Sequence, residues 1–166
     1  MILDRILEHK KAEIRHKNSR GYLADLKTRI RDAGPTLGFA VNLDARRTRT
    51  RPALIAEGKK ASPSLGLLRP EFEQRFEPVA IAEAYREHGA AAVSVLTDKD
   101  FFQGSLEYLS DVKRKVGLPA LNKEFMVADI QFYEARAYGA DAVLLIVAGL
   151  EKRQLIDFSA LAKELS

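Results

Sequence analysis

Three charged side chains stand at the ends of predicted strands, where α/β folds bind their ligands. Glu57 and Lys59 follow the apolar run 53–56 at period-two spacing, and Lys123 follows a later apolar run. In a parallel barrel all three would project toward the mouth at the carboxyl ends of the strands. A lysine that is partly desolvated or close to another cation has a lowered pKa and can act as a general acid near neutral pH. Spacing alone favours the simpler alternative, a salt bridge at a strand end.

Two phenylalanines lie just past the second and third predicted strands. Phe102 and Phe125 come too early in their loops to belong to the core face of the following helices. At the same mouth they would form the wall of an apolar pocket for a planar ring, because ligand pockets are lined mainly by apolar and aromatic side chains. Core packing is the commoner fate of a phenylalanine, and spacing alone favours that alternative.

Alternating strands and helices must position these residues. The predicted strands are 53–56, 92–96, 119–122 and 142–147. Each is followed by an amphipathic helix, and a joint of helix end, Gly-Ala turn and buried strand occurs twice, at 88–93 and at 138–143. Strands that are apolar on both faces and separated by helices imply a parallel sheet covered by helices. The predicted fold class is therefore α/β with four βα units.

Four βα units fit either a complete doubly wound sheet or half of a (βα)8 barrel. The first βα turn is Ser-Pro-Ser-Leu-Gly and has neither a Gly-x-Gly-x-x-Gly nor a Walker pattern, which weakens the doubly wound interpretation. A closed barrel typically needs about 250 residues, so the 166-residue chain is expected to form a half-barrel. Helical patterns before the first strand predict an N-terminal extension over 1–51 that lies outside the core, followed by the βα units over 52–166.

Composition limits the classes of function. The chain has 46% apolar residues and charges close to its N-terminus, and it has no apolar run of eighteen residues, which predicts a soluble, cytoplasmic protein without a membrane partner. The absence of cysteine excludes disulfides and thiolate zinc sites, and no histidine spacing indicates a metal. A net charge of +4 suits an anionic small molecule. Four arginines are clustered in one short segment: Arg46, Arg47, Arg49 and Arg51. Because no aromatic residue is interleaved with these arginines, we interpret the segment as a solvated connector and not as a nucleic-acid site.

Several runs of this sequence resemble the indole-3-glycerol phosphate synthase family. They are Ile-Ala-Glu-Gly-Lys-Lys-Ala-Ser-Pro-Ser at 55–64, Lys-Glu-Phe at 123–125, and the runs 94–98, 101–109, 133–136 and 139–147. They occur in the family's order and with near-family spacing over essentially the whole chain. The resemblance implies a TIM barrel of the tryptophan pathway. Its reaction would close and decarboxylate 1-(2-carboxyphenylamino)-1-deoxyribulose 5-phosphate without a metal or organic cofactor.

The resemblance also implies roles for individual residues. Lys123 matches a general acid toward the ribulose oxygen, and Lys59 matches a lysine that contacts substrate and takes part in proton transfer. Glu57 matches the glutamate that positions and polarises this network. The implied substrate-binding positions are Ser62, Phe102, Phe125, Leu144 and Ile146, of which the last four would surround the anthranilate ring. The helical lead-in matches an extension that packs across the barrel mouth.

The family's fifth to eighth strands carry a second catalytic glutamate and glycine-rich phosphate loops, which have no counterpart up to Ser166. We therefore expect a truncated chain with negligible synthase activity by itself. A half-barrel would expose two strand edges and an apolar interior, which favours self-association or pairing with the missing half. Another phosphate-binding barrel, such as phosphoribosylanthranilate isomerase, is disfavoured because it lacks these motifs in this order. A non-catalytic half-barrel is the remaining alternative.

Overall fold

The computed structural model describes residues 2–17 and 19–166 as helices on a small parallel sheet. The N-terminal helices are α1 (Ile2–Arg15), α2 (Arg20–Asp32) and α3 (Phe39–Arg46). The next elements are β1 (Ile55–Gly58), β2 (Ala61–Ser62), β3 (Gly66–Leu67), a 3₁₀ turn (Pro70–Glu73), α4 (Pro78–Glu87) and β4 (Ala92–Leu96). The remainder comprises α5 (Lys99–Phe102), α6 (Leu106–Val116), β5 (Ala120–Lys123), α7 (Ile130–Ala137), β6 (Ala142–Val143), a 3₁₀ turn (Val147–Gly149) and α8 (Lys152–Glu164).

The strand order identifies the architecture. The main sheet has the order β1-β4-β5-β6, and all three pairings are parallel. A doubly wound sheet reverses its strand order at a switch point, whereas the strands of a (βα)8 barrel follow one another around the sheet. The predicted α/β fold with parallel βα units is therefore confirmed, and the consecutive order is that of a barrel. In the part of the chain that the structure describes, no helix combines the length and the apolar character needed to cross a membrane.

The main core lies between the sheet and the helices that follow each strand. All five residues of β4 are buried, because β1 and β5 flank this strand and helices cover it. The largest side chains of this core include Val93, Leu109, Val112 and Phe132. At the edge of the sheet, Ile55 of β1 is 43% exposed. The sheet is thus buried at its centre and open at its sides.

The N-terminal helices contribute to the core, which corrects the expectation that they lie outside it. Ile14 and Leu26 pack with Ile130 of α7 in a second apolar cluster. Helix α1 also crosses the carboxyl ends of the strands, where Leu7 packs against Gly149 of the 3₁₀ turn after β6. The packing is so close that a methyl group added to Gly149 would lie 2.7 Å from Leu7 Cδ1. The spacing of the buried face of α1, which includes Leu7 and Ile14, explains this docking. The boundary between residues 51 and 52 remains a proposal.

Three of the four predicted strands have different bounds in the structure, and the third, predicted over 119–122, is shifted by only one residue to Ala120–Lys123. The first strand was predicted over 53–56 and is observed at Ile55–Gly58, because its pairing with β4 starts where Ile55 meets Ala92. The last was predicted over 142–147 and is observed only at Ala142–Val143. As the final strand in the sheet it has a ladder on one side only, formed with β5, and the chain then turns into the 3₁₀ segment. Apolar composition alone does not extend a strand beyond its hydrogen-bonding partner.

Candidate active site

Glu57 lies between the two predicted catalytic lysines. Its Oε2 accepts a hydrogen bond from Lys123 Nζ at 2.5 Å, and its Oε1 lies 3.4 Å from Lys59 Nζ. Ser94 Oγ donates to the same Oε2 at 3.3 Å. The three charged side chains are 29 to 35% exposed, so water reaches them only in part. The structure thus brings all three predicted residues into one cluster.

The sheet explains why this cluster forms. Glu57 belongs to β1 and Lys123 ends β5, with β4 between them. Alternate strands of a parallel barrel contribute their side chains to the same interior layer, and Ser94 is the β4 residue in register with Glu57. Tyr85 Oη donates to the Glu57 carbonyl at 3.1 Å, which links α4 to this strand end. The positions of the carboxylate and of Lys123 are therefore set by the backbone ladder.

The charge state of Glu57 follows from its neighbours. Burial is the largest single influence and acts to raise the pKa of Glu57. The hydrogen bond and the charge of Lys123, assisted by Lys59, outweigh it and hold the pKa below its ordinary value. Glu57 is therefore an ionised carboxylate at neutral pH. It accepts hydrogen bonds and has no proton to donate. Any acid at this cluster must be one of the two ammonium groups.

An apolar cavity of about 90 Å³ adjoins the cluster. Its lining residues are Glu57, Lys59, Leu96, Phe102, Lys123, Glu124, Phe125, Leu144 and Ile146. The ring centroids of Phe102 and Phe125 are 6.0 Å apart, and the ring planes are inclined by 37°. Both rings thus face the cavity, as do Leu144 and Ile146. Sequence reasoning missed Leu96 and Glu124, although the first ends β4 and the second directly follows Lys123.

Ser62 is the predicted site residue that the structure does not place at this cavity. It belongs to the short β2–β3 hairpin, where Leu65 N donates to Ser62 Oγ at 3.3 Å. The hydroxyl also lies 3.5 Å from Ser64 Oγ. The Ser62 oxygen thus accepts an amide hydrogen of the turn, and its role toward substrate remains a proposal.

A tight turn after β4 holds Phe102. Asp98 Oδ1 caps the short α5 helix by accepting a hydrogen bond from Phe101 N at 2.7 Å. Gln103 then adopts a left-handed conformation, with φ of 51°. A methyl group on Gly104 would lie 2.3 Å from the carbonyl oxygen of Leu96, so only glycine allows the chain to pass the strand end this closely. The aromatic wall is therefore built on a constrained loop.

The loop after β5 is fixed by one buried side chain. Gln131 Nε2 donates to the Phe125 carbonyl at 2.8 Å, while its Oε1 accepts hydrogen bonds from Val127 N at 2.8 Å and Ala128 N at 3.1 Å. Gln131 is 3% exposed, so water does not compete for these bonds. The amide group satisfies three backbone groups of a loop that has no ladder partner of its own. It thereby orients the second aromatic wall.

His9, Glu13 and Asp100 lie close enough together to hold a metal ion. However, both carboxylate oxygens of Glu13 already form ion pairs, with Lys10 at 2.7 Å and with Lys17 at 3.1 Å. His9 Nε2 in turn lies 2.6 Å from Asp100 Oδ2. Two ammonium groups on one carboxylate oppose the binding of a cation, so we interpret this group as an ion-pair network.

Comparison with known proteins gives a consistent match. The family model for indole-3-glycerol phosphate synthase matches residues 3–166. The indole-3-glycerol phosphate synthase of Neisseria meningitidis serogroup B (strain ATCC BAA-335 / MC58) is 46% identical over 164 residues, which is 99% of this chain and 62% of that enzyme. The enzyme of the same name from Acaryochloris marina is 47% identical over 165 residues, 99% of this chain and 52% of that enzyme. The chain thus spans between half and two thirds of the length of these curated relatives.

Proposed function

The chain belongs to the indole-3-glycerol phosphate synthase family, and we propose that its Glu57–Lys59–Lys123 cluster serves the reaction of that family. The family consists of TIM-barrel lyases of tryptophan biosynthesis. The proposed substrate is 1-(2-carboxyphenylamino)-1-deoxyribulose 5-phosphate, and the products are indole-3-glycerol phosphate, carbon dioxide and water. The observation that carries this proposal is a pair of lysines around one carboxylate, beside a cavity walled by two phenylalanine rings.

The ring closure needs an acid at the ribulose carbonyl. When the ring carbon that bears the carboxylate attacks this carbonyl, negative charge develops on the carbonyl oxygen, and Lys123 donates a proton to it. Carbon dioxide then leaves and the ring regains aromaticity. The hydroxyl group then leaves as water with a proton supplied through Lys59, and the neighbouring ring carbon, the former C1 of the ribulose chain, loses a proton, which forms the double bond of the indole. A positioned general acid contributes about 10²- to 10⁴-fold to such a step.

Glu57 prepares both lysines for this chemistry. As an ionised carboxylate within 2.5 Å of Lys123 Nζ, it stabilises the protonated ammonium that is needed before each turnover. It also limits the directions in which Lys123 can donate. The two ammonium groups attract the carboxylate and phosphate groups of the substrate. Among the described residues that line the cavity, only these two lysines carry a positive charge.

We further propose that this chain has negligible activity by itself. Small-molecule pockets usually have a volume of about 300 to 1,000 Å³, whereas this cavity has about 90 Å³. Within residues 2–17 and 19–166, the outer edges of β1 and β6 have no partner strand in the main sheet. Additional βα units would extend the sheet at these edges and enlarge the pocket. Phosphate-binding loops on the later strands are part of what the family resemblance implies.

Complementation tests this function. The chain is assayed by indole fluorescence with the carboxyphenylamino substrate, alone and after co-expression with the part of the Neisseria meningitidis enzyme that lies outside the match. We call the co-purified pair of this chain and the Neisseria fragment the complemented assembly. We expect no turnover by the chain alone and measurable turnover by the complemented assembly. Turnover by the chain alone, free of full-length enzyme, would refute its inactivity. A folded complemented assembly without turnover would refute the catalytic proposal.

A non-catalytic half-barrel that self-associates is the second candidate, and the exposed edge residues favour it. Leu54 is 56% exposed and Ile55 is 43% exposed at the open edge of β1. Unpaired parallel edges with apolar side chains promote pairing between chains. We expect sedimentation velocity to show association that grows with concentration and that Ile55→Lys weakens. A compact monomer at every concentration would contradict self-association.

A further inference from the structure

The N-terminal helix α1 carries a lysine that is buried among three carboxylates. Lys10 is 2% exposed. Its Nζ lies 2.7 Å from Glu13 Oε2, 2.8 Å from Asp98 Oδ2 and 3.3 Å from Glu124 Oε1. A buried ammonium is retained only where it is paired, and this one is paired three times. On an amphipathic helix, a lysine on the apolar face is the sequence signal for such a group.

Two of the three carboxylates belong to the walls of the candidate active site. Asp98 uses its other oxygen to cap α5, the helix that carries Phe102. Glu124 stands between Lys123 and Phe125, and its Oε1 also accepts a hydrogen bond from Phe125 N at 2.8 Å. One ammonium of α1 therefore contacts both loops that hold the aromatic rings. Glu124, which pairs with Lys10, also lines the cavity beside the Glu57–Lys59–Lys123 cluster.

We propose that Lys10 is a positioning residue of this site, which acts through Asp98 and Glu124 to hold Lys123 and the aromatic walls in place. The proposal rests on the proposed function, since it assigns Lys10 a role in that same site. The hold is strongest when Glu124 is ionised, because the carboxylate then attracts the ammonium and accepts the Phe125 amide. Protonation of Glu124 weakens both interactions. The arrangement of the site should therefore depend on the proton of Glu124.

The surroundings of Glu124 bring the pKa of its carboxyl group close to neutral pH. Glu124 lies between the cavity beside the lysine cluster and a second cavity of about 270 Å³. The charged residues around these two cavities are Lys10, Glu13, Lys17, Glu57, Lys59, Lys99, Glu107, Lys123 and Glu134, and Asp98 is buried next to them. Burial and the charge of Asp98 raise the pKa of Glu124, while Lys10 and the Phe125 amide lower it, and the result is a pKa of about 7.

Carboxyl and amide NMR signals of the isotopically labelled chain test the proposal. In the wild-type chain we expect the Glu124 carboxyl carbon to titrate near pH 7, and the Phe125 amide to shift with the same midpoint. Lys10→Met removes the positive charge and should raise that midpoint by about 1 to 3 pH units. At fixed neutral pH it should also move the Phe125 and Phe101 amide signals. Lys11→Met is the matched control, because Lys11 is 52% exposed on the same helix and pairs only with Glu8 among the described contacts.

A second variant decides the question if Lys10→Met does not fold. Glu124→Gln leaves Lys10 paired with Asp98 and Glu13, and it should abolish the shift of the Phe125 amide near pH 7. Persistence of that shift in Glu124→Gln would overturn the proposal, as would an unchanged Glu124 midpoint in Lys10→Met. The signals are recorded without substrate and do not depend on turnover. A failure of the proposed function is therefore recognised separately, by the complementation assay.

Discussion

Replacement of Lys123 by methionine is expected to lower kcat of the complemented assembly by about 10²- to 10⁴-fold, the range for loss of a general acid. Methionine fills nearly the same space beside Phe102 and Phe125 but carries no proton. Glu57 would lose its 2.5 Å hydrogen bond and retain Lys59 at 3.4 Å. Initial rates of indole-3-glycerol phosphate formation, at substrate concentrations on both sides of KM, separate the loss of chemistry from a loss of binding.

The matched control is Lys60→Met, which removes a lysine next to Lys59 that does not line the cavity. Its kcat should equal that of the unmodified assembly. Circular dichroism of both variants verifies that the fold is intact. A Lys123→Met assembly that retains full kcat would contradict the assignment of the general acid. The remaining donors at the cavity would then be Lys59, the other ammonium of the cluster, and protonated Glu124.

The proximity of Glu57 and Lys123 was predictable because the ends of the strands determine where these side chains lie. Once two strands are recognised as parallel, their carboxyl ends meet at one edge of the sheet, so Glu57 and Lys123 must be close. Whether they make a salt bridge or an active site was open from the sequence. The structure shows the salt bridge and places it beside a cavity lined by Phe102 and Phe125, and its role as an active site is the proposal made above.

The parts that could not be predicted depend on contacts distant in sequence or on backbone pairing. Lys10 and Glu124 are 114 residues apart, and no periodicity in either segment indicates that they meet. The short β2–β3 hairpin, in whose turn Leu65 N donates to Ser62 Oγ, was not predicted either, because two-residue strands have no recognisable periodicity. The last strand was overestimated because its apolar run continues past the point where β5 can pair with it. Apolar composition was enough to predict the core, whereas the strand ends and the ion pairs depend on residues that are distant in sequence.

A buried carboxylate at the opposite end of the sheet joins three segments of the fold. Asp141 is 1% exposed at its side chain, and its two oxygens lie 2.6 and 2.5 Å from Lys113 Nζ of α6. It also accepts hydrogen bonds from Ala120 N, at the start of β5, and from Leu37 N, in the segment between α2 and α3. One side chain therefore ties the N-terminal helices to the βα units.

Asp141→Ala is expected to lower the free energy of unfolding by about 3 kcal/mol, because it leaves a buried amide and a partly buried ammonium without their acceptor. The low end of the range for broken buried pairs applies, since Lys113 remains 20% exposed and water can replace part of the interaction. Urea unfolding followed by circular dichroism measures the change. Asp111→Ala is the control, because Asp111 pairs with Arg114 at the surface and should contribute less than about 1 kcal/mol. Equal losses in the two variants would show that Asp141 does not fasten these segments together.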